Sequence, residues 1–278
     1  MLTSRLSVAL VALALALPGA AQVQPEEDTY KPTSGQAGKD VVWVPTPDAL
    51  VKGMLESVKT TKDDLVYDLG AGDGKIPIAA AKEYGAKAVG IEYNPEMAEF
   101  ARRNVKRAGV ENLVEIITGD IFVEDFSKAT VVTMYLLPQL NVKLRPTILK
   151  MKPGTRVTSH QFDMGDWEPD QKLTIESRDA YVWIVPAAVA GEWMLKEDGG
   201  TSSGTLSLVQ RYQRIGGTLT MNGKSQPLLG TSIVGENLTF SFIDRDGNLQ
   251  QARMKVAGNS MAGTLSDLRK TALTASKR

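Results

Sequence analysis

The sequence has no cysteine and a single histidine, His160, and each shortage excludes a class of site. Without cysteine the chain has no disulfide, no thiolate nucleophile and no cysteine-ligated metal. One histidine excludes a metal centre built from several imidazoles, and no metal site is predicted. A dominant charge is also lacking, because 32 basic residues balance 32 acidic ones. No global field therefore favours nucleic acid, and no nucleic-acid partner is expected.

An apolar run near the N terminus is too short to span a bilayer. Arg5 precedes this run, which covers residues 6–17, and small residues follow from Pro18. The pattern predicts a secretory signal over residues 1–21. The protein would then be exported, to the periplasm or envelope, with no transmembrane segment in the mature chain. An uncleaved membrane anchor is the alternative. The polar residues 22–40 are predicted to be a flexible linker.

A glycine-rich turn between a strand and a helix organises the first half of the chain. The apolar strand Leu65–Leu69 runs into Gly70-Ala71-Gly72-Asp73-Gly74, and a helix is predicted over Lys75–Tyr84. A second strand ends at Glu92, which can accept hydrogen bonds from both hydroxyls of a ribose. Glycines let a ligand lie against the backbone, and the helix amides favour an electron-rich group. The unit predicts a nucleoside-bearing cofactor at the carboxyl edge of a mostly parallel sheet.

The spacing of the glycines separates two kinds of cofactor. The turn reads G-x-G-x-G, whereas a dinucleotide fingerprint reads G-x-G-x-x-G. Asp68 and Asp73 flank the turn; two carboxylates would repel a pyrophosphate but suit a ligand that carries an ammonium and a sulfonium. An NAD-dependent oxidoreductase is therefore the less favoured interpretation. A turn that only packs a helix on a strand is the plain structural alternative.

The run from Asp68 to Gly74 resembles the first motif of the class I S-adenosylmethionine-dependent methyltransferases. Glu92, Asp120 and the turn Lys152-Pro153-Gly154 follow in the order found in that family. The resemblance covers residues 41–186 and implies a Rossmann-like, mostly parallel sheet with helices on both faces. It also implies S-adenosylmethionine as cofactor and methyl transfer by in-line displacement. Val44-Pro45 and the Trp167 region add a narrower likeness to protein-lysine methyltransferases of the ATP-synthase c-subunit type.

The same resemblance implies roles for residues around the cofactor. Asp68, Gly70 and Gly72 would hold its amino-acid end, Glu92 its ribose, and Asp120 its adenine amino group. Asp120 could instead only initiate a turn. The full predicted cofactor set is Asp68, Gly70, Ala71, Gly72, Asp73, Glu92, Tyr93, Asp120 and Ile121.

The acceptor side is less well defined by the sequence. Tyr135 and His160 are the candidate catalytic residues; His160 is either a general base or a hydrogen-bonded residue at a strand end. Thr46, Asp163 and Trp167 are the candidate substrate-binding residues, the last two through charge and cation–π contact with an amine. The acceptor itself is unidentified, either a protein, through a lysine or another amine, or a small molecule. A protein that binds the nucleoside cofactor without catalysis is the alternative function.

Short strands separated by turn residues, with no helical period, fill residues 187–268. They predict a C-terminal antiparallel all-β domain that serves substrate binding or stability alone. Residues 269–278 are predicted to be a frayed tail.

Overall fold

The computed structural model describes residues 30–39, 42–197 and 203–278. The predicted signal over residues 1–21 lies outside these ranges, as do residues 22–29 and 40 of the predicted linker. Among the helices in the described ranges, none combines the length and the apolar character needed to cross a bilayer.

Within residues 42–197, seven strands form one sheet in the order β3-β2-β1-β4-β5-β7-β6. Strands β1 to β5 run parallel, and the hairpin β6–β7 adds an antiparallel edge. The strands are β1 Leu65–Leu69, β2 Lys87–Glu92, β3 Val114–Thr118, β4 Val131–Met134, β5 Arg156–His160, β6 Gln171–Ile175 and β7 Arg178–Ile184. The helices are α1 Asp48–Ser57, α2 Lys75–Tyr84, α3 Pro95–Ala108 and α4 Pro138–Ile148.

Helices cover both faces of this sheet because the central strands are apolar on both sides. Val131 belongs to the core formed with α1, α2 and α3, whereas the next residue, Val132, belongs to the core formed with α4. Residues at the helix ends determine where each helix between the strands begins and ends. In α3, for example, Asn94 Oδ1 accepts from two amides of the first turn and Gly109, at φ +67°, ends the helix. The predicted Rossmann-like fold is confirmed.

The C-terminal residues, from 191 to 197 and from 203 to 278, form an antiparallel sheet of nine strands. Its order is β11-β10-β9-β8-β16-β15-β14-β13-β12. The strands are β8 Gly191–Glu197, β9 Ser203–Arg211, β10 Arg214–Met221, β11 Lys224–Pro227, β12 Leu229–Val234, β13 Asn237–Ile243, β14 Leu249–Ala257, β15 Ser260–Leu265 and β16 Ala272–Lys277. The sheet curls until its two ends come together. Thr231 Oγ1 of β12 donates to the Ile215 carbonyl of β10, and Gln226 Nε2 of β11 donates to the Ile243 carbonyl of β13 at 2.7 Å. The predicted antiparallel domain is confirmed, and we call it the barrel.

The prediction of a frayed tail over residues 269–278 is wrong. Strand β16 occupies a central place in the barrel, paired with β15 on one side and β8 on the other. Leu273 and Ala275 are buried, while Thr274 between them is exposed. The pairing partner Trp193 lies about eighty residues earlier in the chain, so no local signal reveals that this segment is needed to fill the sheet.

Candidate active site

A cavity of about 320 Å³ opens at the carboxyl edge of the parallel sheet, within the usual range for small-molecule sites. The ends of strands β1, β2, β3 and β4 converge on it because parallel strands present their carboxyl ends to one edge. Every residue of the predicted cofactor set lines this cavity, and so do Thr46 and Tyr135 from the acceptor set. The structure therefore brings together residues that are up to ninety positions apart in the chain.

The glycine turn adopts a backbone that side chains would not tolerate. Gly70, Gly72 and Gly74 all have left-handed φ angles, of +79°, +54° and +79°. The ring of Trp43 lies against the turn, and a Cβ on Gly72 would come within 2.5 Å of its Nε1. The turn is fixed from below by the Ile91 carbonyl, which accepts from the Gly70 and Ala71 amides at 2.9 and 3.0 Å. The result is a rigid cradle whose backbone faces a ligand directly.

Glu92 stands at the end of β2 and connects the turn to the start of α3. Its Oε2 accepts from the Gly72 amide and its Oε1 from the Asn94 amide, both at 2.9 Å. These bonds fix the carboxylate, and each oxygen keeps the capacity for a second hydrogen bond. Glu92 therefore lines the cavity as a fixed acceptor that can take further hydrogen bonds.

Asp68 gives the turn its unusual electrostatics. The side chain is 2 % exposed, and Thr133 Oγ1 donates to it at 2.6 Å. Burial raises the pKa of Asp68 to about 7, and the carboxylates of Asp73 and Glu92 add to this rise. Burial also raises the pKa of Asp73. A positively charged ligand would relieve this crowding of acids, whereas a pyrophosphate would add to it. The residues present fit the ammonium and sulfonium groups of S-adenosylmethionine.

Residues 30–39 do not form the flexible linker that the sequence predicts, and we call them the strap. Tyr30 packs against Phe100 of α3, and residues 36–39 line the cavity. The backbone of the strap pairs with the chain beyond, since the Trp43 amide donates to the Gln36 carbonyl at 2.9 Å. Lys39 Nζ lies 2.7 Å from Asp120 Oδ2 and 4.2 Å from the centre of the Tyr93 ring. These contacts with residues distant in the chain hold the strap in place, although its polar composition predicts a flexible segment. The ion pair also lowers the pKa of Asp120.

His160 lies behind the cavity wall instead of on it. The side chain is 3 % exposed, its ring centre is 3.8 Å from that of Tyr135, and its Nδ1 is 3.1 Å from Thr46 Oγ1. Burial lowers the pKa of His160 to about 4, with a contribution from Arg178. The imidazole is therefore neutral and weakly basic at pH 7. The structure favours the second alternative for His160, a hydrogen-bonded residue at a strand end.

The structure does not bring Asp163 and Trp167 to the cavity. Trp167 is fully buried, with its ring centre 6.0 Å from those of both Trp183 and Tyr212, so its faces are covered by protein. Asp163 is exposed, and its Oδ1 accepts from the Gly165 amide within the same loop. Their placement does not support the predicted contact with an amine.

Three aromatic residues that line the cavity are absent from the predicted site set, namely Trp43, Phe122 and Phe162. Phe162 belongs to the same loop as Asp163, and its ring centre lies 6.3 Å from that of Tyr135. The available signal for Phe162 was its position two residues after β5, at the carboxyl edge of the sheet. Thr46, Tyr135 and Phe162 line the same cavity, and we call them the acceptor side after the role that the sequence predicts for Thr46 and Tyr135.

A family model described as the ANTKMT methyltransferase domain matches residues 68–171. The match begins at the first residue of the glycine motif and ends at the first residue of β6. It therefore contains the cofactor turn, Glu92 and Asp120, and it excludes the barrel.

Curated relatives are named for lysine methylation. The chain is 44% identical over 151 residues to a protein-lysine N-methyltransferase of Saccharolobus islandicus, with 52% of this chain and 94% of that protein covered. It is 33% identical over 129 residues to the ATP-synthase c-subunit lysine N-methyltransferase of Xenopus laevis, with 46% of this chain covered. The match covers 56% of the Xenopus protein, so the chain spans about half of that relative's length.

A solved structure agrees with these relatives on the family. The chain is 50% identical to a Salinibacter ruber RNA methyltransferase in complex with S-adenosyl-L-homocysteine, with a TM-score of 0.52. That match covers 96% of the Salinibacter chain and 52% of this one, so nearly half of this chain has no counterpart there. From the fold, the acidic cavity and these likenesses together, the chain belongs to the class I S-adenosylmethionine-dependent methyltransferases, in the family that includes the Saccharolobus protein-lysine N-methyltransferase.

Proposed function

We propose that this methyltransferase transfers the methyl group of S-adenosylmethionine to the side-chain amine of a lysine in a protein. The observation that carries the proposal is the cavity itself, which is lined by three acids around the glycine turn and by the aromatic residues Tyr135 and Phe162. The names of the Saccharolobus and Xenopus relatives support lysine as the acceptor.

The chain's own residues supply binding and alignment. S-adenosylmethionine, when bound, supplies a methyl group already activated by its sulfonium. Asp68 would hold the amino-acid end of the cofactor, Glu92 its ribose and Asp120 its adenine. Tyr135 and Phe162 would border the path by which an amine arrives. Alignment of this kind is worth up to about 7–11 kcal/mol. A lysine that enters as the neutral amine needs no base, which agrees with the buried position of His160.

The test is transfer of label from methyl-labelled cofactor to acceptors in cell extracts by the purified protein. Label in protease-sensitive material that yields methyl-lysine on hydrolysis supports the proposal. Label that is sensitive to ribonuclease and resistant to protease would contradict it and match the name of the Salinibacter neighbour. The variant Glu92→Ala, with its cofactor site damaged, is the control for labelling by a contaminant.

We also propose that the protein is exported, on the support of the apolar run within residues 1–21. An N-terminal sequence of the mature protein that begins near Gln22, together with recovery from the periplasm or envelope, would support export. An intact Met1 in a cytoplasmic fraction would contradict it.

Replacing Lys39 with alanine is expected to tighten the binding of S-adenosylhomocysteine up to about fivefold. The strap then no longer competes through Lys39 for Asp120, and a partly exposed ion pair of this kind is worth about 0.2–1 kcal/mol. Calorimetric titration measures the change, with Lys31→Ala on the same strap as the control. A weaker affinity in Lys39→Ala would mean that Lys39 supports the ligand instead of competing with it.

Replacing His160 with glutamine is expected to lower kcat by about tenfold or less and to leave the pH–rate profile unchanged in shape. Glutamine can still bond to Thr46, and the ring it replaces is neutral across the profile because its pKa is about 4. Loss of a true general base would cost about 10²–10⁴-fold in rate. A loss of that size, with an inflection missing from the profile, would restore His160 as the base.

A further inference from the structure

The barrel touches the methyltransferase unit close to the acceptor side. One part of the contact is made by the tip of the hairpin between β9 and β10, residues 211–214, which we call the clamp. It meets the loop that follows β5, residues 161–170, which we call the acceptor loop. The family model that matches this chain ends at residue 171, so the clamp lies outside the matched domain.

Asp166 of the acceptor loop is the centre of the contact. Arg211 Nη2 donates to its Oδ2 at 2.9 Å and Tyr212 Oη donates to the same oxygen at 3.1 Å. Arg145 of α4 binds the other carboxylate oxygen. The Tyr212 ring also stacks on Trp167, with 6.0 Å between ring centres and 22° between planes. The barrel and α4 thus hold the same carboxylate from two sides.

The next two clamp residues hold the following part of the loop. Gln213 Nε2 donates to the Glu168 carbonyl at 2.7 Å, and the Arg214 guanidinium pairs with the Glu168 carboxylate. Four consecutive barrel residues therefore bind three consecutive residues of the acceptor loop, from 166 to 168. The contact between the two units therefore combines hydrogen bonds, a stacked ring and ion pairs, and does not consist of a single surface ion pair.

The other end of the acceptor loop reaches the cavity. Phe162 lines it, and Asn141 Nδ2 donates to the carbonyls of Phe162 and Asp163, each at 3.1 Å. Arg145 links the two ends, because its Nη1 donates to the Met164 carbonyl at 2.7 Å while it also binds Asp166. A continuous chain of contacts therefore runs from Tyr212 in the barrel to Phe162 in the active site.

We propose that the clamp is a positioning element for the acceptor: Arg211 and Tyr212 fix Asp166 and Trp167, and so set the place of Phe162 opposite Tyr135. Neither clamp residue lines the cavity, so the effect passes through the loop. The role in methyl transfer rests on the proposed function, whereas the mechanical coupling does not. In this proposal the barrel helps to position the acceptor, whereas the residues that bind the cofactor all belong to the methyltransferase unit.

Hydrogen exchange tests the coupling without any assay of activity. In the full chain, Tyr212→Ala is expected to speed exchange of the amides from Phe162 to Gly165 about tenfold or more, while Tyr212→Phe, which keeps the stacked ring, shows a smaller effect. Arg253→Ala, on the exposed surface of β14 in the barrel, is the matched control and leaves the loop unchanged. Unchanged exchange in a folded Tyr212→Ala protein would overturn the proposal, whatever the acceptor is.

Kinetics then test the consequence for the acceptor. With cell-extract protein as the acceptor, Tyr212→Ala is expected to raise several-fold the concentration of extract protein that gives half-maximal labelling, which is the acceptor KM. The Kd for S-adenosylhomocysteine is expected to stay unchanged, and Tyr212→Phe is expected to recover most of the loss. Asp166→Asn, a milder change, gives the same pattern if Tyr212→Ala does not fold. A lower Tm with unchanged acceptor KM in both variants would reduce the clamp to a structural contact and overturn the proposal.

Discussion

Replacing Glu92 with alanine is expected to weaken the binding of S-adenosylmethionine and S-adenosylhomocysteine by about 100-fold. The carboxylate would accept from two ribose hydroxyls, and hydrogen bonds to a charged group are worth about 1.5–3 kcal/mol each. The same change frees the Gly72 amide, which Glu92 holds at 2.9 Å, so the turn also becomes less rigid. Calorimetric titration of both ligands measures the loss directly.

Glu96→Ala is the matched control for this prediction, because Glu96 is an exposed acid four residues further along, in the first turn of α3. Its affinity for both ligands is expected to equal that of the wild type. Thermal unfolding of Glu92→Ala is expected to show a loss of only about 1 kcal/mol, so that weak binding is not mistaken for unfolding. Wild-type affinity in Glu92→Ala would remove this residue from the site.

Replacing Asp68 with asparagine is expected to change binding and stability in opposite directions. At pH 8 the variant loses the buried negative charge that faces the cationic cofactor, so affinity falls by about 10- to 100-fold. The free energy of unfolding rises, on the order of 2 kcal/mol, because the neutral amide replaces a carboxylate whose pKa burial has raised to about 7. The Tm then increases by several degrees.

The free energy of unfolding of Asp68→Asn should exceed that of the wild type by a margin that grows with pH. The raised pKa of Asp68 means that its favourable contribution to stability is fully present below the unfolded value of 3.8 and is lost as the pH rises through about 7. Asp73, Glu92 and Thr133 face the group and contribute to the shift. Thermal unfolding between pH 5 and pH 8 should therefore show that the free energy of unfolding of the variant, relative to that of the wild type, increases as the pH rises. A variant that is no more stable at pH 8 would contradict the raised pKa.

The cofactor side of the site could be predicted from sequence because its signals are local. Each predicted residue belongs to a strand end or to the turn that follows it, and the parallel sheet brings those ends together. Glu92 illustrates the point: its place at the end of β2 was enough to predict that it lines the cavity. The relative positions of these residues follow from topology, not from side-chain packing.

The acceptor side could not be predicted in the same way, because loop packing decides which side chains face inward. In the acceptor loop Phe162 lines the cavity and Trp167 is buried in the core, although either aromatic could have served. Trp167 is held by Trp183 and Tyr212, which come from later strands and from the barrel. The strap and β16 were missed for a related reason, since both depend on partners distant in the chain.

The most direct test of the account is one calorimetric comparison, in which the purified protein is titrated with S-adenosylhomocysteine and, separately, with NAD⁺. Acids around the glycine turn predict micromolar binding of the adenosyl compound and no measurable binding of the dinucleotide. Binding of NAD⁺ without binding of S-adenosylhomocysteine would contradict the central claim that this cavity holds a methyl-donating cofactor.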